Sequence, residues 1–556
     1  MSNESIKDKR SNVLVQGSIL AFASIVVRLI GLIYRIPLTR AIGDTAMGYY
    51  SYAYEIYNLA LILSSYSIPL AVSKLVSARL IKLQYKNAHR VFVFSLIFST
   101  CVGALMTFIL AACSGIYAEL INCKNVVVPL RILAPTILVF SIMGVIRGYF
   151  QGHNNMLPTA LSQIVEQIIN AIVSIGAGVL MYNDLYDFLY SLPRDGYIPG
   201  GYDATSYGAG GGTLGTLSGA IAGLITLTIV YWIVRNNIKK RVEIDDTTDV
   251  ESYAHIFKVL ILTALPVIMS QCIYQVNATI DGVIYNKVAS NQGVSEEMRT
   301  SLWGIYSNKY RLLTNVPVAV ASALGTAVVP NLIAEYVMGH TDVVNKRIAS
   351  VIKFNMIIAV PSAFAFITLA SAILRLLFGD TNPVSADMLH IGGFCVVFYS
   401  LSTVTNGILQ GINRMHLPLL HAAISLVIHF PLVLFFLNLH DVGVYGLVIG
   451  DMMLPFVICL LNMHSIRNLT GYDQELKTTF FIPMLSALLM GIAGSAFYNY
   501  AFPFIGLASA IIAIIICVPV YFFFLIRFGG LKKEELMEMP KGGALVKVLT
   551  KLRFLK

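Results

Sequence analysis

The sequence predicts an all-α polytopic membrane protein of about 14 transmembrane helices, built as two pseudo-symmetric six-helix halves plus two C-terminal helices. Three observations carry the prediction. Of 556 residues, 57% are hydrophobic and only 12% charged, about half the charge of a soluble domain. The apolar residues gather in runs of about twenty to twenty-five, the length at which a helix crosses a roughly 30 Å core. Strands of an outer-membrane barrel would alternate over about ten. A short motif also recurs at equivalent places, as described below.

In chain order, the spans begin near Val13, Met47, Val91, Val128, Pro158, Gly212, Phe257, Gly304, Val351, Asp387, Leu417, Tyr445, Thr479 and Phe504. Residues 1–12 are polar and basic, and the apolar run that follows is too long for a signal-peptide core, so the segment is expected to be retained. With the N-terminus inside, inner segments hold 25 of the 39 lysines and arginines and outer segments 5. This asymmetry assigns both termini to the cytoplasm. The expected division is a cytoplasmic N-terminus (1–12), a first half (13–235), a basic cytoplasmic linker (236–256), a second half (257–467), helices 13 and 14 (468–527), and a basic cytoplasmic tail (528–556).

Basic clusters mark the inner loops at 74–90 and 235–241. In the tail, Leu545, Val548, Leu549 and Leu552 interleave with Lys547, Lys551 and Arg553, a pattern that suits anionic membrane lipids or serves as a plain orientation signal. The net charge of +10 is read as this topology signal and not as nucleic-acid binding. The seven cysteines show no metal-ligand spacing and imply neither a disulfide framework nor a metal site. The longest outer loop, 182–211, is rich in Gly, Tyr and Asp and is expected to form a cap. Gly210, Gly212 and Gly215 have dinucleotide-loop spacing, but no strand precedes them, so that reading fails its context test.

The repeat is Gln151-Gly152-His153-Asn154-Asn155-Met156, which returns as Gln410-Gly411-Ile412-Asn413-Arg414-Met415. Each copy follows an even-numbered span and the copies lie six spans apart, which implies halves of the same orientation. A weaker echo pairs Gly48-Tyr49-Tyr50-Ser51 with Gly304-Ile305-Tyr306-Ser307, placing Glu55 in register with Arg311. Parallel repeats of this kind build carriers that hold substrate between their halves.

Ionisable residues inside spans are the candidates for function. Arg28 and Arg35 are two helical turns apart on one face of the first span. A guanidinium near the bilayer centre costs about 3 kcal/mol on insertion scales, so Arg28 is expected to face a polar cavity and meet an anion. Snorkelling, or pairing with an acid, is the alternative for Arg35. Together with Arg311 the two make the candidate substrate-binding set, since guanidinium holds phosphate oxygens bidentately. Glu55, Lys309 and Arg147 are gate or cavity candidates, with Glu55 expected to neutralise Arg35 or Arg311. Asp281 and Asp451 are candidate cation ligands, or else plain interhelical hydrogen-bonding groups. Arg131, Lys353 and Arg375 are read as interfacial anchors. No hydrolase or metalloprotease motif is present, so the chain is not read as an enzyme.

Arg28, Gly31, Arg35-Ile36-Pro37-Leu38, the Ile42-Gly43-Asp44 turn, Arg147 to Gly152 and Pro158-Thr159-Ala160 together give the sequence a family likeness. It resembles the polysaccharide-biosynthesis exporters of the MOP superfamily, in the branch of MurJ-type lipid II flippases and stage V sporulation B proteins. The resemblance covers nearly the whole chain and implies a flippase for an undecaprenyl-diphosphate-linked glycan, with Arg28, Arg35 and Arg311 lining its cavity. It implies no cofactor beyond the membrane potential and a coupling ion, Na+ or a proton. The expected form is a monomer in a bacterial plasma membrane, with cell-wall synthases as candidate partners. Glu55 and the tyrosine-rich stretch 49–57 depart from the Gram-negative pattern. Drug-exporting MATE relatives, another lipid-linked polysaccharide or spore-cortex precursor as cargo, and a non-transporting scaffold are the alternatives.

Overall fold

A computed structural model describes residues 3–191, 203–320, 332, 335–336, 338–439 and 443–531. In order, its first helices are α1 (Asn3–Leu61), α2 (Ile68–Ile81), α3 (Tyr85–Ala112), α4 (Ser114–Leu120), α5 (Val127–Leu133) and α6 (Thr136–Gly152). They are followed by α7 (Leu157–Ser191), α8 (Ala204–Ile244), α9 (Tyr253–Asn291) and α10 (Glu296–Ile305). Beyond residue 340 come α11 (Thr341–Phe378), α12 (Pro383–Gly392), α13 (Cys395–Gly411), α14 (His416–Asn438), α15 (Tyr445–Thr470), α16 (Ile482–Ile505) and α17 (Ala508–Arg527). Among the described residues, ten helices are long and apolar enough to cross a membrane, or eleven if the bent α12–α13 pair is one span. One of the ten runs Phe22–Ile81, 60 residues, enough for two crossings at 1.5 Å per residue. The break within it is Gly43, at φ 81° and ψ 172°, a conformation essentially confined to glycine.

The chain packs as two compact units, Met1–Gly304 and Ile305–Lys556. α9 belongs to the first because it packs on α1 and α2, whereas the hydropathy reading opened the second half at residue 257. In the first unit α7 and α8 form the most extensive helix pair. Their approach is set by small residues: a Cβ on Gly211 would lie 2.3 Å from the Ala177 carbonyl oxygen, and one on Gly219 2.5 Å from that of Glu166. This is the small-residue packing that membrane helices use in place of a hydrophobic driving force. It corrects the reading of 182–211 as a loop, since α7 runs to Ser191 and α8 starts at Ala204. The Gly210-Gly212-Gly215 spacing belongs to a helix interface. The tail pattern beyond Leu531 lies outside the described residues.

The repeat motif has the same local structure in both units. Asn154 (φ 55°) and Asn413 (φ 61°) are both left-handed, a conformation that asparagine tolerates and most residues avoid. Each ends its helix with two reverse bonds: Asn154 N–H to Gln151 O at 2.9 Å and Asn155 N–H to Phe150 O at 3.1 Å, matched by Asn413 to Gln410 at 3.0 Å and Arg414 to Leu409 at 2.9 Å. This is a Schellman cap, which satisfies helix-end carbonyls.

In the second unit a π-turn over Tyr306–Tyr310 precedes Arg311, an irregularity often found at functional positions. α12 and α13 are bent by 43°. A Cβ on Gly392, at that bend, would lie 2.3 Å from the Tyr310 ring. The absent side chain makes room for Tyr310 at the break.

Candidate functional site

In the first unit the N-terminal arm of α1 carries both arginines. Arg28 is exposed, and among the described residues it has no carboxylate partner. Arg35, two turns on, is half-buried, with its guanidinium 5.8 Å from the Tyr50 ring and 5.7 Å from the Tyr54 ring. The two rings stack on each other at 5.4 Å, as i,i+4 neighbours on one helix face do. Aromatic faces hold a cation by their quadrupole, worth about 0.5–2 kcal/mol, and leave its charge in place.

Glu55 does not neutralise Arg35 as expected. It stands on the other side of the same helix, where a Cβ on Gly282 would lie 3.2 Å from its Oε2, from the Tyr52 ring and from the Trp303 ring alike. Tyr52 and Trp303 stack there at 4.9 Å, and Glu55 is buried. A one-residue step around a helix turns a side chain by about 100°, which separates Tyr54, on the arginine side, from Glu55. Asp281, also on α9, is buried at 2% exposure. Arg147 is tied down: its Nη2 lies 2.8 Å from Glu166 Oε2 and its Nε donates to Ser162 Oγ at 3.1 Å. That arrangement joins α6 to α7.

The second unit treats its cations differently. Lys309 Nζ lies 2.7 Å from Asp380 Oδ2, with both side chains at most 10% exposed. Burial works to raise the Asp380 carboxyl. Hydrogen bonds from Lys309 and the Asn382 amide, with the charge of Lys309, outweigh it and hold the group below the ordinary carboxylate range. Arg311 Nε lies 3.9 Å from Asp451 Oδ1, and its guanidinium is 5.8 Å from the Tyr306 ring. Asp451 itself is buried and accepts hydrogen bonds from Tyr399 at 2.9 Å, Tyr310 at 3.2 Å and the Cys395 thiol at 3.3 Å. A carboxylate so occupied serves as a counter-ion and helix tie. Among the described residues no group of three or more His, Cys, Asp or Glu is placed to hold a metal ion.

The anchors divide as well. Arg131 is exposed and donates to Ser114 Oγ at 3.0 Å, and Arg375 lies over the Phe502 ring at 5.4 Å. Lys353 is buried at 7% exposure, contrary to its reading as a snorkelling residue. Sequence reasoning passed over Asp380 and Tyr399, and noted Tyr50 and Tyr54 only as part of the tyrosine-rich stretch 49–57, without a role. Asp380 follows the end of an apolar run, the place where loop acids are commonest, and the tyrosines read as ordinary span residues.

Among the described residues the structure is helical, with ten helices long and apolar enough to cross a membrane and with largely buried ion pairs in both compact units, as in a polytopic membrane protein. Residues 13–193 match the polysaccharide biosynthesis protein family and residues 311–435 the MatE family. The chain is 27% identical to the lipid II flippase MurJ of Bacillus subtilis (strain 168), covering 87% of this chain and 88% of that one. It is 22% identical to stage V sporulation protein B of the same organism, over 95% and 98%. A solved structure of a lipid II flippase MurJ in an inward closed conformation shares the fold, with a TM-score of 0.62 at 15% identity over 91% of this chain and 97% of that one. These matches make the chain similar over most of its length to MurJ-type and stage V sporulation B proteins, with the fold that MurJ and MATE transporters share.

Proposed function

We propose that the protein is a flippase that moves an undecaprenyl-diphosphate-linked cell-wall glycan precursor, lipid II in the first instance, from the inner to the outer leaflet by alternating access. The observation that carries the reading is Arg28, a mid-span arginine with no carboxylate partner among the described residues. Facing hydrocarbon it would cost about 3 kcal/mol, so it is assigned to a polar cavity whose anion is the diphosphate. Arg35, held by aromatic faces and not by an acid, is the second diphosphate ligand of the first unit; Arg311, on the second unit, is a separate candidate phosphate ligand. The planar guanidinium suits this role because it binds two phosphate oxygens at once. The protein sits in the bacterial plasma membrane as a monomer with both termini cytoplasmic, a placement supported by the lysine and arginine asymmetry.

The membrane potential supplies direction. Carrying net negative charge outward gains up to about 2.3 kcal/mol per charge per 100 mV, and an empty cationic cavity returning inward gains in the same sense. Insensitivity of flipping in vesicles to an imposed potential would rule this driving force out.

The match to stage V sporulation protein B over 98% of its length makes a spore-cortex precursor the second cargo reading. Complementation separates the two. The chain is expressed in a bacterium whose own lipid II flippase is shut off, and survival is followed with the lipid II reachable from outside. Survival with exposed lipid II, lost in Arg28→Ala, is the expected result. Failure despite good membrane expression would move the cargo to another prenyl-linked glycan.

A further inference from the structure

Apart from the arginine clusters, the first unit holds a cavity of about 290 Å³ where the ends of α2, α3, α6 and α8 meet. This is the end of α8 that carries Arg235, Lys239, Lys240 and Arg241, which the positive-inside rule assigns to the cytoplasmic interface. Its lining mixes two chemistries. Leu80, Phe150 and Ile238 are apolar, whereas Arg241, Asn237 and His153 are polar or basic, and no carboxylate lines the space.

Two contacts pre-position the polar part. The Arg241 guanidinium lies 6.0 Å from the centroid of the Tyr85 ring, which orients it without neutralising it. His153 Nδ1 lies 2.9 Å from the Tyr149 carbonyl oxygen. A carbonyl accepts only, so Nδ1 carries the hydrogen and donates. The imidazole also packs on the Tyr149 ring at 4.5 Å. Burial, and then the nearby charge of Arg241, lower the proton affinity of this histidine against the opposing pull of the carbonyl.

We propose that this cavity binds the phosphate-bearing headgroup of an anionic phospholipid from the adjoining leaflet, with Arg241 on the phosphate oxygens and the apolar lining on the glycerol and first acyl carbons. The volume is near the lower end for small-molecule sites, right for a headgroup and too small for a whole lipid. A soluble phosphate ester shares the charged half of this chemistry but leaves the apolar half without a partner. The occupant would tie the end of α6, which bears the first repeat motif, to α3 and α8. The inference does not depend on the identity of the cargo.

The test is native mass spectrometry of the purified full chain from mixed phosphatidylglycerol and phosphatidylcholine, counting retained lipids in the wild type, Arg241→Gln, Ala88→Phe and Lys240→Gln. Ala88 lines the cavity, so its enlargement fills the space. Lys240 sits beside Arg241 in sequence, outside the lining, and its loss changes net charge equally. Arg241→Gln is expected to cut phosphatidylglycerol retention about tenfold, as loss of a charge-assisted hydrogen bond does, with Lys240→Gln at least about threefold less affected. Ala88→Phe should match Arg241→Gln, and Arg241→Gln carries the test alone if Ala88→Phe does not run as a single species on gel filtration. Equal losses in Arg241→Gln and Lys240→Gln would reduce the effect to surface charge and overturn the site. Retention against excess inorganic phosphate supports a lipid occupant, whereas displacement by it overturns the lipid assignment in favour of a soluble anion.

Discussion

The two compact units hold their membrane cations by opposite means. In the first, Arg35 rests against the faces of Tyr50 and Tyr54, and Arg28 has no acid beside it among the described residues. In the second, Lys309 leans on the half-buried Asp380 and Arg311 on the buried Asp451. An aromatic face orients a cation and leaves its charge in the site, while a carboxylate cancels most of it. Under the proposed function, the first unit therefore offers standing positive charge to an anion. The second unit's charge is conditional, and the two pairs are unequal: the Lys309–Asp380 contact at 2.7 Å is tight, and Arg311–Asp451 at 3.9 Å is loose. Under the proposed function, the contrast separates a structural pair from an arginine that an incoming phosphate would draw away from its counter-ion.

The largest effect that would break the comparison is loss of the standing charge. Arg28→Ala is expected to abolish transport with normal membrane insertion, Arg28→Lys to be partly active because bidentate geometry is lost, and Arg131→Ala to be tolerated. Lipid II exposure in the complementation strain checks all three. Next comes Lys309→Met, which leaves the half-buried Asp380 without its cation and should destabilise the protein by about 1–3 kcal/mol. Adding Asp380→Asn should restore a good part of it, as a melting series in detergent would show. If Lys309→Met melts like the wild type, the tight pair is not structural.

Smaller still is Tyr54→Leu. Removing one ring face from Arg35 should weaken cargo binding by about 0.5–2 kcal/mol, and Tyr54→Phe, which keeps the face, should be close to neutral. Equal losses in both would assign the role to the hydroxyl. The smallest effect is that of pH on the second unit. Because the Asp380 carboxyl is held below its ordinary value, its contribution is fully present above the unfolded carboxylate pKa, about 3.9. It is lost as pH falls through the folded value. The melting temperature of the wild type should therefore fall more steeply in acid than that of Asp380→Asn.

The architecture was largely legible in the sequence because its signals are local. Hydropathy run length gave the helices, and the Ile42-Gly43-Asp44 turn appears where Gly43 takes a positive φ. The Gln-Gly repeat proved to be a pair of identical helix caps at Asn154 and Asn413. The candidate residues were found because a charge inside an apolar run is conspicuous. Their partners were not, since Arg147 meets Glu166 and Lys309 meets Asp380 across 19 and 71 positions of sequence. Glu55, expected to neutralise Arg35 or Arg311, lies one step around its helix from the face that meets Arg35, a difference that no sequence pattern marks.

What the sequence determined by itself is the class of molecule. The cost of exposing backbone polar groups and charges to hydrocarbon leaves a chain of this composition few solutions other than a bundle of membrane helices with its cations inside. What only the tertiary structure decided is the state of each cation: free, laid on a tyrosine face, or tied to an acid. That depends on distances of a few ångströms between helices far apart in the chain, over which electrostatic energy changes several-fold.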